Sequence, residues 1–403
     1  MNEKYDVIII GGGMVGGTLA CALADSDLRV AVIERAELTP FDPDSEHDLR
    51  VSALSIASER ILNHLGAWDG IVARRACAYR RMKVWEESET AASTLFTSDD
   101  IGYTHLGHIV ENRIVQLAII ERLKQLDNVD LIAPVDITAI DYSPGSSLIE
   151  LSDGRQLIAK LLVAADGGES KVRSAVGIGV HRWDYEQHAL VASVTTEYGQ
   201  QDITWQQFTP TGPLAYLPLT GNNASLVWYN TPENIARLKS LSHEHLLEAI
   251  QHKFPACLGN VNHCLSVGSF PLRRQHALAY QKDGVVLIGD AAHMIHPLAG
   301  QGVNIGLLDA AVLAEVLTDQ SAQADNEFWS SHVLAVYEKR RKQHNLTIMQ
   351  TMDAFYRVFS NDHLPLKVLR NVGLRVAGKL TPARNKVMSF AMGLEGDLPT
   401  IAR

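Results

Sequence analysis

Short, fully apolar runs alternate along the chain with stretches in which apolar residues recur every three to four positions, the texture of an α/β protein built on a buried parallel sheet. Val7–Ile10, Val30–Ile33, Leu161–Ala165 and Val285–Ile288 are the apolar runs, and each predicts a buried strand. Met14–Ala24 predicts a helix of small and apolar residues between the first two. Helical spacing returns in Leu49–Leu65, where Ile56, Ile61, Leu62 and Leu65 form a stripe with Arg50 at its head, and in Arg113–Leu126, with Ile114, Leu117, Ala118 and Leu123 on one side. Gly300, Gly302 and Asn304 open a long helix whose inner face carries Ile305, Leu308, Val312 and Leu313. Met82–Glu86, Thr94–Phe96, Asp130–Tyr142 and Ser147–Leu151 read as strands, the last two joined by a turn at Pro144 and Gly145. From about Arg182 to Phe270 the strands Ala189–Val194, Leu214–Pro218 and Ser225–Tyr229 alternate with turns, interrupted by one amphipathic helix, Ser242–Phe254. Phe328–Arg370 is helical, with Arg340, Arg341 and Lys342 in a row, and Val372–Arg403 is a weakly patterned tail.

This order predicts an α/β, doubly wound nucleotide-binding fold with an inserted β-sheet domain and a helical C-terminal region. The boundaries it suggests are 1–75, 100–180 and 275–335 for a discontinuous nucleotide-binding domain, 76–99 and 181–274 for a substrate-binding sheet domain, and 336–403 for the helical region.

Composition narrows the functions. The 403 residues are 46% hydrophobic and 20% charged, enough for a large core, and the net charge of −10 gives no electrostatic case for nucleic acid. The 16 histidines show no metal-ligand spacing, so no metal is expected. Cys21, Cys77, Cys257 and Cys264 are scattered, as for reduced thiols in a cytosol. The charged N-terminus runs straight into a strand, unlike a signal peptide, and no apolar run looks long enough to span a bilayer.

The candidate chemistry sits at strand ends. Gly11, Gly13 and Gly16 follow the first strand at the G-x-G-x-x-G spacing. The first makes the tight turn, the second admits a pyrophosphate to the backbone, and the third lets helix and strand pack closely. Glu34 ends the next strand, where an acid grips a ribose hydroxyl. Asp166-Gly167 and Gly289-Asp290 mark two more strand ends. Three such ends, far apart in the chain, imply one long ligand, and FAD fits better than NAD. Asp290 would accept hydrogen bonds from the hydroxylated chain that leads to the flavin, and the helix opening near Gly302 would turn its positive end to the ring. Each has a plainer alternative: Asp166 and Asp290 as helix caps, Arg50 as a surface residue, Pro297 as a turn former. No G-x-S-x-G is present to support a hydrolase.

GGGMVG, ADGGESKVR (Ala165–Arg173) and GDAAHMIHPLAGQGVN (Gly289–Asn304) together resemble the single-component FAD aromatic hydroxylases, and within them the ring hydroxylases of ubiquinone biosynthesis. DLRVSALSIAS (Asp48–Ser58), WQQFTPTGPLAYLPL (Trp205–Leu219), ASLVWY (Ala224–Tyr229) and FPLRRQHAL (Phe270–Leu278) are similar to the members acting on the demethoxy-quinol intermediate. The resemblance implies a glutathione-reductase-like fold with FAD held by Gly11, Gly13, Gly16, Glu34, Arg50, Asn112, Asp166, Asp290, Gly300, Gly302, Val303 and Asn304. Pro297 and Gly302 would line the flavin face, with no acid–base residue assigned. Phe208, Trp228, Tyr229 and His296 are the candidates for substrate contact, although a sheet core explains the aromatics equally well. His293 and His296 invite an acid–base role, against the commoner structural one.

The implied reaction has NADH or NADPH reduce FAD, O2 add to the reduced ring, and a flavin hydroperoxide hydroxylate a polyprenylated quinol or phenol. The implied setting is cytoplasmic, with contact at the inner membrane face and with other quinone-biosynthesis proteins, and a homo-oligomer left open. Another flavin oxidoreductase of the same fold, such as a reductase or halogenase, and a non-catalytic FAD-holding scaffold are the rival readings.

Overall fold

The computed structural model describes residues 3–87, 89–295, 300–321, 327–359 and 381–403. Strand Glu3–Ile10 pairs in parallel with Val30–Ile33 on one side and with Gln156–Ala164 on the other. Val129–Ile132 and Val285–Leu287 extend the sheet outward, both in parallel. The register aligns the strand ends: Ile10 lies opposite both Ile33 and Ala164, and Ala164 opposite Leu287. The residues that follow, from Gly11, Glu34, Ala165 and Ile288, therefore emerge along one rim. Helix Met14–Ala22 packs between Asn112–Leu123 and Gln301–Ser321, and a Cβ on Gly17 would come 2.5 Å from Ile119 Cγ2.

A second sheet runs in the order His293–Met294, Val261–Ala277, Val180–Thr196, Asn223–Asn230, Leu214–Pro218, Ile203–Phe208, Arg81–Glu86 and Glu89–Thr97. Its pleat gives it two distinct faces. One packs Trp85, Leu190, Val194, Trp205 and Trp228 beneath helices Pro232–Lys239 and His243–Lys253. The other settles on a small sheet of Val51–Ser55, Gly107–Glu111 and Cys77–Tyr79, where Leu217 and Leu219 meet Val51, Ala53 and Ile109. Gly268 makes room for the junction, since a Cβ there would lie 2.3 Å from Leu49 Cδ2.

Several expectations are corrected. Leu49–Leu65 is not one helix: Val51–Ser55 is a strand, drawn into the ladder by Gly107–Glu111, and only Ile56–His64 is helical, capped by Ser55 Oγ on the Ser58 N–H. Asp130–Tyr142 divides into Val129–Ile132 and Ile137–Asp141, which pair with different partners; Pro134, with no N–H for a ladder, falls between them. Helix Pro232–Lys239 and strand Ile203–Phe208 had no forecast. Gln301–Asp319 is long and apolar enough to cross a bilayer, yet 72% of it is buried inside the protein, as a core helix. In the tail, Thr381–Ala391 is helical, and Met388 and Met392 cluster with Ile56 and Leu106.

Three histidines packed at element junctions, two buried and one half-buried, predict acid sensitivity. His47 bonds Thr220 across the domain boundary, His276 bonds the Tyr280 hydroxyl, and His344 packs on Phe390. Burial, aided by nearby cations, lowers each pKa to about 4. The unfolded chain takes up these protons near pH 6.5, as model histidines do, while the folded chain refuses them until about pH 4. Their contribution is complete above the unfolded pKa and declines as pH falls from about 6.5 towards 4. Urea unfolding at steps across that window should show the decline, and His276→Gln should flatten it.

Candidate functional site

The rim of the parallel sheet is built around Gly11, which holds φ +105°. A Cβ there would stand 2.4 Å from the Ala165 carbonyl oxygen, and one on Gly16 only 2.0 Å from the Gly11 carbonyl oxygen. These two glycines bring turn, helix and neighbouring strand into contact. Gly13 differs. It caps Met14–Ala22 at φ −68°, and nothing lies nearer its absent Cβ than Gln116 Nε2 at 3.5 Å. Among the described residues no side chain caps this helix N-terminus, and such an end suits an anion. Glu34 accepts from the Gly12 N–H at 2.8 Å and the Ala36 N–H at 3.1 Å, which orients its carboxylate beside the turn. A cleft of about 1200 Å3 opens there, walled in part by Leu38, Phe41, Leu117 and Leu131.

The other two strand ends are joined to each other by Arg173. This buried guanidinium donates to the Gly168 carbonyl at 2.7 Å and the Ala291 carbonyl at 2.8 Å, tying the Asp166 loop to the Asp290 loop. Asp166 does cap the following helix, with Oδ2 accepting from the Lys171 and Val172 N–H groups, but its Oδ1 is buried without a partner. Asp290 is exposed, and among the described residues nothing hydrogen-bonds its carboxylate. Protein on its remaining sides raises its pKa, against the pull of His293 and Arg50. Arg50 is likewise exposed and makes no side-chain hydrogen bond among the described residues.

Other predicted residues build the wall. Asn112 donates its N–H to the Arg50 carbonyl and accepts from Ser52 Oγ at 2.7 Å. Its neighbour Glu111, 1% exposed, accepts from the Asp48 N–H and from Arg75, and so fixes the segment that carries Arg50. Asn304 is buried, and its amide is committed inside the protein: Oδ1 accepts from Ser55 N–H and Ser58 Oγ, and Nδ2 donates to the Ala53 carbonyl. Any ligand contact there falls to backbone. Gly300 takes φ +63° beside Ala53, Val303 is half-buried, and no atom of the described residues lies within 4 Å of the missing Cβ of Gly302. Pro297 and His296 lie outside the described residues.

Behind the Gly289–Asp290 turn lies a charged cluster that sequence reading missed. Asp309 and Arg341 are fully buried. Asp309 Oδ2 accepts from the Gly289 N–H and pairs with His293 Nε2, while Oδ1 accepts from Arg341 Nε at 2.8 Å and Asn345 Nδ2 at 3.0 Å. Burial opposes ionisation of Asp309, but His293 and Arg341 together outweigh it and hold the carboxyl far below its usual range. His293 is thus a structural partner. The basic row is corrected as well: Arg341 points inward, Arg340 pairs with Asp397 and Glu315, and Lys342 pairs with Glu338, so the three form no common cationic face. The legible signal was the spacing of Tyr337, Arg341 and Asn345, one turn apart on a single helix face.

The aromatic candidates separate. Trp228 belongs to the helix-covered core, edge-on to Phe254, and does not face the cleft. Tyr229 and Phe208 are buried on the opposite face, the one turned towards the nucleotide-binding domain.

A long, polyhydroxylated dinucleotide suits these residues: the open Gly13 amides for its pyrophosphate, Glu34 for a ribose, the unpartnered Asp290 carboxylate for the ribityl chain, and the open Gly302 edge for the ring. Fold and cleft define a FAD-binding protein of the glutathione-reductase-like kind. The family profile described as FAD binding domain matches residues 4–352. The chain is 43% identical to 3-demethoxyubiquinol 3-hydroxylase of Escherichia coli K12, over 98% of this chain and 100% of that protein. It is 33% identical to the human mitochondrial ubiquinone biosynthesis monooxygenase COQ6, over 97% and 93% of the two chains. Among solved structures, p-nitrophenol 4-monooxygenase PnpA of Pseudomonas putida superimposes with a TM-score of 0.79 over 98% of this chain and 100% of that one, at 19% identity. The chain belongs to the FAD-binding aromatic hydroxylase family that includes the ubiquinone-biosynthesis monooxygenases.

Gly13 and Gly16 should separate by function. Gly13→Ala should fold with an unchanged circular dichroism spectrum but lose FAD affinity about tenfold, equivalent to about 1.4 kcal/mol. Gly16→Ala should lower the melting temperature of the apoprotein itself. Asp309→Ala leaves Arg341 buried and uncompensated, and denaturant titration should show a loss of about 3–5 kcal/mol.

Proposed function

We propose that this protein is a NAD(P)H-driven ring hydroxylase of a polyprenylated quinol or phenol in ubiquinone biosynthesis. The observation that carries the reading is the 43% identity to a demethoxyubiquinol hydroxylase along its entire length, with the three strand ends aligned along one edge of the sheet. FAD, when bound, supplies electron storage and oxygen activation; the chain supplies position, exclusion of water and charge. Gly13 and the first amides of Met14–Ala22 receive the pyrophosphate, Glu34 the ribose, and Asp290 the ribityl hydroxyls. Arg50 and the start of Gln301–Ser321 put positive potential beside the ring, where negative charge accumulates on reduction. The sheet face bearing Phe208 and Tyr229 roofs the cleft and keeps it apolar.

NADH or NADPH docks transiently in this reading, since the sequence holds one dinucleotide fingerprint. The substrate is lipid-soluble, so the enzyme meets it at the cytoplasmic surface of the membrane or receives it from another protein of the pathway.

Purified holoenzyme should oxidise NAD(P)H faster when given a short-chain prenyl quinol, with a hydroxylated product in the mass spectrum. No stimulation by any prenyl quinol or phenol would favour the scaffold reading. A deletion strain should accumulate one quinone precursor, whose mass identifies the missing hydroxyl. Asp290→Ala should purify largely free of flavin, read from its visible absorption.

A further inference from the structure

Glu59, His105 and His108 converge away from the flavin cleft, and we propose that they form a site for a divalent transition-metal ion of the zinc class. Glu59 comes from the first turn of helix Ile56–His64, His105 from the loop before strand Gly107–Glu111, and His108 from within that strand. Glu59 Oε2 lies 2.8 Å from His105 Nε2 and 3.1 Å from His108 Nδ1, and the three ligand atoms all lie within 4.8 Å of one another. In tetrahedral coordination an ion about 2.0–2.2 Å from each such atom sets neighbouring ligand atoms about 3.3–3.6 Å apart, so the two pairs need open by only about 0.2–0.8 Å to admit it.

The surroundings favour the same reading. Thr104 Oγ1 stands 2.8 Å from His105 Nδ1 and can orient that ring, as outer hydrogen bonds orient metal-bound imidazoles. Trp68 packs edge-on to His108 at 5.0 Å, and the two imidazole rings are 4.6 Å apart. His108 Nδ1 is buried and has no well-formed hydrogen bond, although the carboxylate oxygen is near. Neutral imidazoles with an ionised carboxylate are the forms that bind zinc, and an ion between them satisfies that nitrogen. The side chains are 13–21% exposed, so solvent reaches the trio and can supply a fourth ligand. The spacing of histidines along the chain gave no sign of this, because the ligands come from separate elements.

Such an ion would tie helix Ile56–His64 to strand Gly107–Glu111. The first begins at Ser55 and Ser58, which hold Asn304, and the second ends at Glu111, which holds the Arg50 segment. The site would brace the wall of the cleft from behind, with no part in group transfer.

The test uses holoenzyme freed of any affinity tag and stripped with chelator, then titrated separately with Zn2+ and Co2+. One ion per chain by elemental analysis, a visible Co2+ ligand-field spectrum and a higher melting temperature are expected. His108→Gln and Glu59→Gln should each weaken binding about 10- to 100-fold, while His64→Gln, on the same helix but outside the trio, should leave it unchanged. Substoichiometric uptake by the wild-type chain, or equal binding by all variants, would overturn the proposal and leave a hydrogen-bonded His–Glu cluster only. If a variant does not fold, the wild-type stoichiometry and Co2+ spectrum decide the matter alone.

Discussion

The cleft depends on one constraint, the parallel register that aligns Ile10, Ile33, Ala164 and Leu287 at the same edge of a sheet. Parallel strands send their chains out of the sheet at the same end, so four loops from distant parts of the sequence share one rim. Two glycines make that rim compact: the missing Cβ atoms of Gly11 and Gly16 allow the turn, the helix and the Ala165 loop to touch. Arg173 then locks the Asp166 and Asp290 loops together through two carbonyls. The groups left over, the Gly13 amides, Asp290, Arg50 and the Gly302 edge, are those proposed to meet the ligand.

Two kinds of charge serve this arrangement. Asp290 and Arg50 are exposed and make no side-chain hydrogen bond among the described residues. Asp309 and Arg341 are sealed in the core, where neither could stand alone. Their pairing, completed by His293 and Asn345, fixes the Gly289 N–H and anchors the turn that presents Asp290. A buried ion pair of this sort gains little net stability, but losing one member exposes the full penalty of the other, so the turn is held in one conformation.

The two faces of the second sheet follow from strand pleating. Phe208 and Tyr229 lie on one face of the second sheet, and Trp205 and Trp228 on the other, under the helices. Neighbours in sequence thus lie apart, one in the core under the helices and one on the opposite face. The alternation was visible in the sequence; which face was covered was not.

Sequence alone carried the parts whose physics is local. The apolar run before Gly11, the glycine spacing, Glu34 at the end of the next strand and the glycine–aspartate pairs at two more strand ends each rest on a few adjacent residues, so the nucleotide fold and its rim were legible. Long-range pairing decided the rest. Val51–Ser55 looked helical until Gly107–Glu111, far along the chain, supplied a ladder. Arg341 stood in a row of three basic residues, and only the fold brought Asp309 to it in the core; the fold likewise brought Ser55 and Ser58 to the Asn304 amide. A side chain's partner depends on what the fold brings opposite it, and separation along the chain conceals that.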